Sequence, residues 1–337
     1  MLPPPPNYWH RRISYIIKRF LVNLACVFVP PPKYRDSIRC RFGFAPHYRL
    51  KKDLYKTHLG KTSFGDYLEI FEGDYITKRI FLDGLYELDE LTILDSLFSL
   101  MPSRKAALDV GGNIGNHCAL FSRCFQETHA IEPHFEVFQV LARNIERNGW
   151  KAKAYNVGFS DHDGLMKLFI NHENDHFGMT SFVNRTDRGV DVAVTTGDVF
   201  VQKNISEPVD FMKIDVESYE GPVITGLAET IKKYQPIISM EWNNQTTVTY
   251  FLENNLFATV LEGYHQLAMY PRWRRNRWLG IFGQIRRGIN RIYAKRGHGF
   301  YLSSFAINKE SPAVILIPPK HEALIAPLKA AFPLVAI

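Results

Sequence analysis

Ala106-Ala-Leu-Asp-Val-Gly-Gly-Asn-Ile-Gly-Asn-His117 is the stretch that decides the fold. Ala106 to Val110 is a short apolar run carrying one carboxylate, Asp109, near its end, the pattern of a buried parallel strand. Gly111, Gly112 and Gly115 then permit a tight turn and let a ligand approach the backbone without meeting side chains. A helix is expected next, through Cys118, Phe121, Ser122 and Phe125. A second strand, Thr128 to Ile131, ends in Glu132-Pro133, about twenty residues past the glycines, where an acid can accept hydrogen bonds from ribose hydroxyls. Together these features predict a nucleoside cofactor on a Rossmann-like fold.

The spacing disfavours a dinucleotide. A pyrophosphate site asks for G-x-G-x-x-G, with backbone amides and a helix N-terminus facing the phosphates. This chain has Asp109-x-Gly111-x-Asn113-x-Gly115 instead. An anionic Asp109 would repel a pyrophosphate and suit a cationic amine. S-adenosylmethionine (SAM) carries an ammonium and a sulfonium and no phosphate, so it fits the acid better. The turn alone leaves a dinucleotide, or a turn with no ligand, open.

Outward from the turn, strands and helices alternate. Leu88 to Leu100 predicts an amphipathic helix before the first strand, and Phe135 to Asn148 another, ended at Gly149. Lys153 to Phe159 is expected as the third strand, Phe211 to Val216 as the fourth and Ile237 to Trp242 as the fifth. A helix starting near Pro222 turns Val223, Ile224, Leu227 and Ile231 inward. Ala258 to Leu261 and Ala313 to Ile317 are expected to close the sheet. The order implies an α/β fold with a doubly wound, mostly parallel sheet, whose ligands lie at the C-terminal strand ends.

Several motifs then stand in register: Gly84-Leu-Tyr-Glu87, Asp109-Val-Gly-Gly-Asn-Ile-Gly115, Ile131-Glu-Pro-His134, Asn156-Val-Gly-Phe-Ser-Asp161, Lys213-Ile-Asp-Val-Glu-Ser-Tyr-Glu220 and Ser239-Met-Glu-Trp242. Across about residues 80 to 265 the chain resembles the FkbM family of SAM-dependent methyltransferases. Gly112 stands where that family usually has Ala, and Ser218 where it usually has Gly. The resemblance implies a class I SAM-dependent methyltransferase domain acting on hydroxyls, commonly of sugars or natural products. Gly111, Asn113 and Gly115 are expected around the methionine part of SAM, with Asp109 holding its ammonium directly or through water. Glu132 is expected on the ribose. The resemblance to SAM methyltransferases places Ser160 and Asp161 at the adenine edge, while Ser160-Asp-His-Asp-Gly164 is also a strong turn sequence in its own right.

An alcohol acceptor calls for a positioned base. Asp215 and Glu217, two apart, project the same way while the fourth strand lasts, and close carboxylates can raise one pKa. Glu241, at the end of the fifth strand, is a further catalytic candidate. Glu220 reads either as a site residue or as the cap of the next helix. His117 and His134 read as local hydrogen-bonding groups. His172-Glu-Asn-Asp-His176 matches H-E-x-x-H, but the surrounding Asn171, Asn174, Asp175 and Gly178 favour turns over the helix that metal binding needs, so no metal is expected.

The flanks are basic. The chain has 337 residues, 46% hydrophobic, with a net charge of +7. Residues 1–79 read as an N-terminal extension. Ile13, Ile16, Ile17, Phe20, Leu21, Leu24, Val27 and Phe28 recur there at helical spacing beside Arg11, Arg12, Lys18 and Arg19. That run is too short to span a membrane, yet it can lie on anionic lipid or pack on the domain. Residues 80–318 read as the methyltransferase domain, with a basic insertion at 272–296, and 319–337 as a C-terminal tail. The insertion carries Arg272, Arg274, Arg275, Arg277, Arg286, Arg287, Arg291, Lys295 and Arg296 and no acid. Such a block can meet a membrane, a lipid-linked anionic glycan or RNA, or remain a solvated face. No Asn/Asp-Pro-Pro-aromatic motif follows the fourth strand, which argues against nucleic acid as substrate. Cys26, Cys40, Cys118 and Cys124 form no metal or disulfide pattern, so a cytoplasmic setting is expected, peripheral to the inner membrane face if the basic segments dock there. The expected function is O-methylation of a sugar or glycan hydroxyl, with a lipid-linked glycan as one form of the acceptor. The alternatives are an RNA or protein methyltransferase and a non-catalytic module that kept the fold.

Overall fold

The computed structural model describes residues 57–62, 65–71, 76, 80, 85–170, 180–183, 189–242, 245–271, 300–307, 309 and 311–333. The N-terminal helix, the H-E-x-x-H segment and the basic insertion lie outside the described residues. The strands are β1 (Thr57–Lys61), β2 (Tyr67–Phe71), β3 (Ala106–Val110), β4 (Glu127–Ile131), β5 (Ala152–Tyr155), β6 (Gly158–Ser160), β7 (Gly164–Ile170), β8 (Thr180–Ser181), β9 (Gly189–Thr196), β10 (Val209–Ile214), β11 (Ile237–Trp242), β12 (His265–Pro271), β13 (Phe300–Ser304) and β14 (Ser311–Ile317). The α-helices are α1 (Leu88–Leu100), α2 (Cys118–Cys124), α3 (Phe135–Asn148), α4 (Gly197–Asn204), α5 (Glu220–Gly226), α6 (Ala228–Tyr234), α7 (Gln245–Glu253), α8 (Leu256–Thr259) and α9 (Ile325–Ala331).

The main sheet runs β13-β12-β14-β11-β10-β3-β4-β5. The five strands from β11 to β5 are parallel, and β14, β12 and β13 are added antiparallel at one edge. Every residue of β3 and β10 is buried, as expected for strands covered on both faces. The period-two alternation divides their side chains between two cores. Leu108, Met212 and Ile238 pack with Val223, Ile224 and Leu227 on one face. Ala107, Phe211 and Ile237 pack with Phe98, Phe121 and Phe125 on the other. There Phe98 meets Phe211 and Phe125 edge-on, at centroid separations of 4.8 and 4.9 Å.

The helices at Leu88–Leu100 and Phe135–Asn148 and the strand at Ile237–Trp242 fall where the sequence placed them. Gly149, at φ +60°, ends α3. The run Lys153 to Phe159 is two strands. Asn156 Nδ2 donates to the carbonyls of Glu132 and Pro133, which holds the chain at the end of β4. Beyond it β6 joins a second sheet, ordered β6-β9-β7-β8. The fourth strand stops at Ile214 rather than Val216. Ala258 to Leu261 is no strand, because Leu256–Thr259 coils into α8 and the sheet is closed by β12, β13 and β14.

Both flanks reach into the domain. The β1–β2 hairpin buries Leu68, Ile70 and Phe71 against Val137, Val140 and Leu141 of α3. Asn144, fully buried on α3, accepts from the Glu69 amide at 2.6 Å and donates to the carbonyls of Glu69 and Ile114. At the other end, Leu328 and Phe332 are buried in the core beside α1. Among the described residues no helix is long and apolar enough to cross a membrane.

Candidate active site

A cavity of about 270 Å³ opens at the C-terminal ends of β3 and β10. That is where the strand order reverses, β4 and β5 continuing on one side and β11 on the other. Gly111, Asn113 and Glu132 form one wall, and Lys213, Asp215, Glu217 and Glu241 the other. Glu87 and His117 also reach it.

The glycine turn is pinned at both ends. The Gly111 and Gly112 amides both donate to the Ile131 carbonyl, at 3.0 and 2.9 Å, and the Asp215 amide donates to the Val110 carbonyl at 3.0 Å. Gly111 has φ +84°, and a Cβ there would overlap the Asp215 carbonyl oxygen. Only glycine meets both demands. Gly112 lacks that constraint. A Cβ on it would meet Ala130 at 3.2 Å, so the alanine usual in the resembling family needs only a small adjustment. Asn113, at φ +48°, offers its amide to Glu132 Oε2 at 3.0 Å, while the His134 amide donates to Glu132 Oε1 at 2.9 Å. Glu132 is thus aimed by two backbone donors and keeps lone pairs for a further donor. Burial pushes its carboxyl up to about 7, and the two amides oppose that rise.

Asp109 is not on the cavity wall. It is 1% exposed behind the turn, where burial pushes its carboxyl up to about 6 against the pull of Lys213. Gly115, at φ +92°, lies against Leu141 and Trp150 and shapes the turn from behind. Ser160 and Asp161 are also not brought to the wall. Ser160 is fully buried, its Oγ 3.0 Å from the Tyr219 hydroxyl and 3.1 Å from Asp161 Oδ1, and Asp161 pairs with His162 at 2.7 Å.

The opposite wall is built by the exit of β10. The strand ends before Asp215, so strand alternation does not align Asp215 with Glu217. A turn does it instead, with Glu217 at φ +52° and Ser218 at φ +83°. The second value explains why glycine is usual at the Ser218 position. Glu220 holds this turn from below. It is fully buried, its Oε1 accepts from the Val216 and Ser218 amides at 3.3 and 3.2 Å, and its Oε2 accepts from the Thr247 hydroxyl. Glu220 therefore anchors the turn rather than capping α5, whose N-cap is Tyr219 with no side-chain cap bond. Ser181 Oγ donates to the Glu217 carbonyl at 2.7 Å.

Lys213 organises the charges. Its Nζ lies 2.7 Å from Asp215 Oδ2, and its side chain is 4% exposed. Burial works against the ammonium, but Asp215, Glu90, Glu87 and Asp109 outweigh it and hold the group charged. Burial, and then Asp215 and Glu220, push the Glu217 carboxyl up to about 7. Burial and the Asp215, Glu217 and Glu220 carboxylates push Glu241 well up. Glu217, like Glu132 across the cavity, has a proton affinity that suits a base near neutrality, and Glu132 is already engaged by two backbone amides. Sequence reasoning assigned no role to Lys213, Glu87 or Glu90. The signal for Lys213 was present as a cation inside the apolar run Phe211–Ile214.

A mostly parallel sheet with a glycine turn after its first strand, an acid at the tip of the next, and a polar cavity at the switch point defines the class I SAM-dependent methyltransferase fold. Residues 109–265 match the family model described as "Methyltransferase FkbM domain". No curated protein matches the sequence. Among solved structures, the chain is similar to the methyltransferase FkbM from Methylobacillus flagellatus KT, at 13% identity and a TM-score of 0.38, over 65% of this chain and 45% of that one. The chain thus spans less than half the length of that relative. It is also similar to precorrin-6y C5,15-methyltransferase from Geobacter metallireducens GS-15, at 10% identity and a TM-score of 0.35, over 67% of this chain and 84% of that one. An rRNA methylase from Streptococcus thermophilus matches at 8% identity and a TM-score of 0.37, over 68% and 95% of the two chains.

Proposed function

We propose that this protein transfers a methyl group from SAM to a hydroxyl of a sugar or glycan. The observation that carries the reading is the meeting, in one cavity, of the Gly111–Asn113 turn and Glu132 with Glu217 and Glu241. The turn supports SAM binding because Gly111 leaves space that a Cβ would fill, and because Glu132 is aimed from two backbone amides. When bound, SAM supplies an electrophilic methyl on a sulfonium.

The chain's own groups position the acceptor and take its proton. Glu217 is the base, receiving the hydroxyl proton, and Asp215, held by Lys213, is the positioning carboxylate beside it. Glu241, pushed well up by burial and then by its acidic neighbours, carries a proton and can donate a hydrogen bond to a polyol. Carboxyls outnumber the single lysine on the wall, which favours a neutral hydroxyl over a phosphate next to the methyl group. The basic segments at residues 1–32 and 272–296 would serve a lipid-linked form of the acceptor at a membrane surface.

The test is radiolabelled methyl transfer from SAM to neutral oligosaccharides, lipid-linked glycans, RNA and protein. Labelled glycan is expected, with Glu217→Gln reducing turnover by about 10²–10⁴-fold while SAM binding persists. Label on RNA or protein alone overturns the acceptor assignment. Sedimentation with anionic liposomes tests the membrane step, which fails if neutralising Arg272 to Arg296 and deleting residues 1–32 changes nothing.

A further inference from the structure

One group of side chains at the cavity is used neither by the cofactor turn nor by the base. Glu87, just before α1, Glu90 in its first turn and His117, just before α2, each offer a ligand atom, and these atoms all lie within 4.8 Å of one another. Glu87 and His117 reach the cavity, and Glu90 sits behind them, 8% exposed. His117 is 6% exposed, yet its Nε2 makes no hydrogen bond. That nitrogen points at Glu87 Oε2, 3.7 Å away, an oxygen that is equally without a hydrogen bond. Buried polar atoms are nearly always paired, so two facing orphans call for something between them.

The charge balance points the same way. Glu87, Glu90, Asp109 and Asp215 all face Lys213, whose ammonium is engaged by Asp215 at 2.7 Å. Four carboxyls thus surround one cation. That excess of buried negative charge is one a further cation would balance. The buried, unpartnered Nε2 of His117 is the kind of nitrogen that serves as a metal ligand.

We propose that Glu87, Glu90 and His117 form a binding site for a first-row divalent cation of the Mn²⁺ or Zn²⁺ kind in the cavity wall. Two carboxylates suit a divalent ion, and the imidazole selects against Mg²⁺ and Ca²⁺, which prefer oxygen alone. Ligands at ~2.1 Å from one ion stand about 3–4 Å apart, so the 3.7 Å pair already has the spacing and the third group needs only a side-chain shift. The ion's open side would face the cavity. Its service there, drawing in an acceptor hydroxyl oxygen, rests on the hydroxyl-acceptor reading above, whereas binding itself does not.

The experiment uses the full chain, stripped with a chelator and then freed of it. Mn²⁺ is titrated by electron paramagnetic resonance, Zn²⁺ is added as competitor, and SAM affinity of the same metal-free protein is measured by calorimetry. The expected result is one Mn²⁺ per chain, displaced by Zn²⁺ and not by Mg²⁺. His117→Gln and Glu90→Gln should each weaken it by roughly tenfold or more, since losing even an outer partner of a metal site costs that much. Circular dichroism melting verifies that both variants fold. If one fails to fold, the wild-type stoichiometry and competition decide. Absence of Mn²⁺ and Zn²⁺ binding by the wild type, or binding indifferent to both folded variants, overturns the site. Loss of SAM binding would instead overturn the methyltransferase reading, so the two failures are distinct.

Discussion

Replacing Lys213 with methionine removes the cation beneath the cavity while keeping most of the side-chain volume. Lys213 Nζ is 2.7 Å from Asp215 Oδ2, the lysine side chain 4% and the aspartate side chain 29% exposed. Removing one partner of a buried pair costs about 3–5 kcal/mol, because the other charge stays behind. Solvent reaches Asp215, so the loss should sit near the lower end, about 3 kcal/mol. The loss should also depend on pH. Burial already raises the Asp109 carboxyl from 3.8 to about 6, against the pull of Lys213. A carboxyl whose folded pKa lies above its unfolded value supports the fold when protonated. Its contribution is complete below about pH 4 and is lost as pH rises through about 6. Without Lys213 the folded value climbs further, so the deficit of the variant should be smaller at about pH 5, where only the Asp215 pair is lost, and larger at about pH 8. Urea unfolding followed by tryptophan fluorescence at both values measures it. Adding Asp215→Asn should restore about 1 kcal/mol. A variant within about 1 kcal/mol of wild type at the higher pH, or a deficit independent of pH, would refute the reasoning.

Gly111→Ala should cost about 1–3 kcal/mol and abolish SAM binding, because φ +84° and the Asp215 carbonyl leave no place for a Cβ, whereas Gly112→Ala should bind normally. Thermal melting with calorimetry compares the two. Ser218→Gly should raise the urea midpoint by the equivalent of about 1 kcal/mol, since φ +83° strains any side-chain-bearing residue; a lowered midpoint would contradict this. Asn144→Leu should cost about 3 kcal/mol by stranding the Glu69 amide and the Glu69 and Ile114 carbonyls, read from the same unfolding curves.

The legible parts of the fold were those with strong local physics. Leu88–Leu100 and Phe135–Asn148 carry helical apolar spacing with clear ends, and Ala106–Val110 is an apolar run closed by glycines, so all three fall in place. Ala258 to Leu261 was misread because four mostly apolar residues carry no period, and Leu256 and Leu261 are buried there by a helical turn. Lys153 to Phe159 was read as one strand because the hydrogen bonds of Asn156 that divide it are long-range. In the cavity, the turn, Glu132 and the carboxylates after β10 were visible as motifs. What stayed hidden was spatial: that Asp109 lies behind the wall, that a left-handed turn rather than strand alternation sets Glu217, and that Lys213 gathers Glu87, Glu90 and Asp109 from three other points in the chain.

The most direct test of the account is calorimetric titration of the full-length protein with SAM, S-adenosylhomocysteine and NADH, repeated on Glu132→Ala. Glu132 is held by the Asn113 and His134 amides with its free lone pairs toward the cavity, and a hydrogen bond to a charged group contributes about 1.5–3 kcal/mol. Both sulfur nucleosides should bind the wild type, NADH should not, and the variant should lose about 10–100-fold in affinity. No heat from either sulfur nucleoside, or equal binding by the variant, would contradict it.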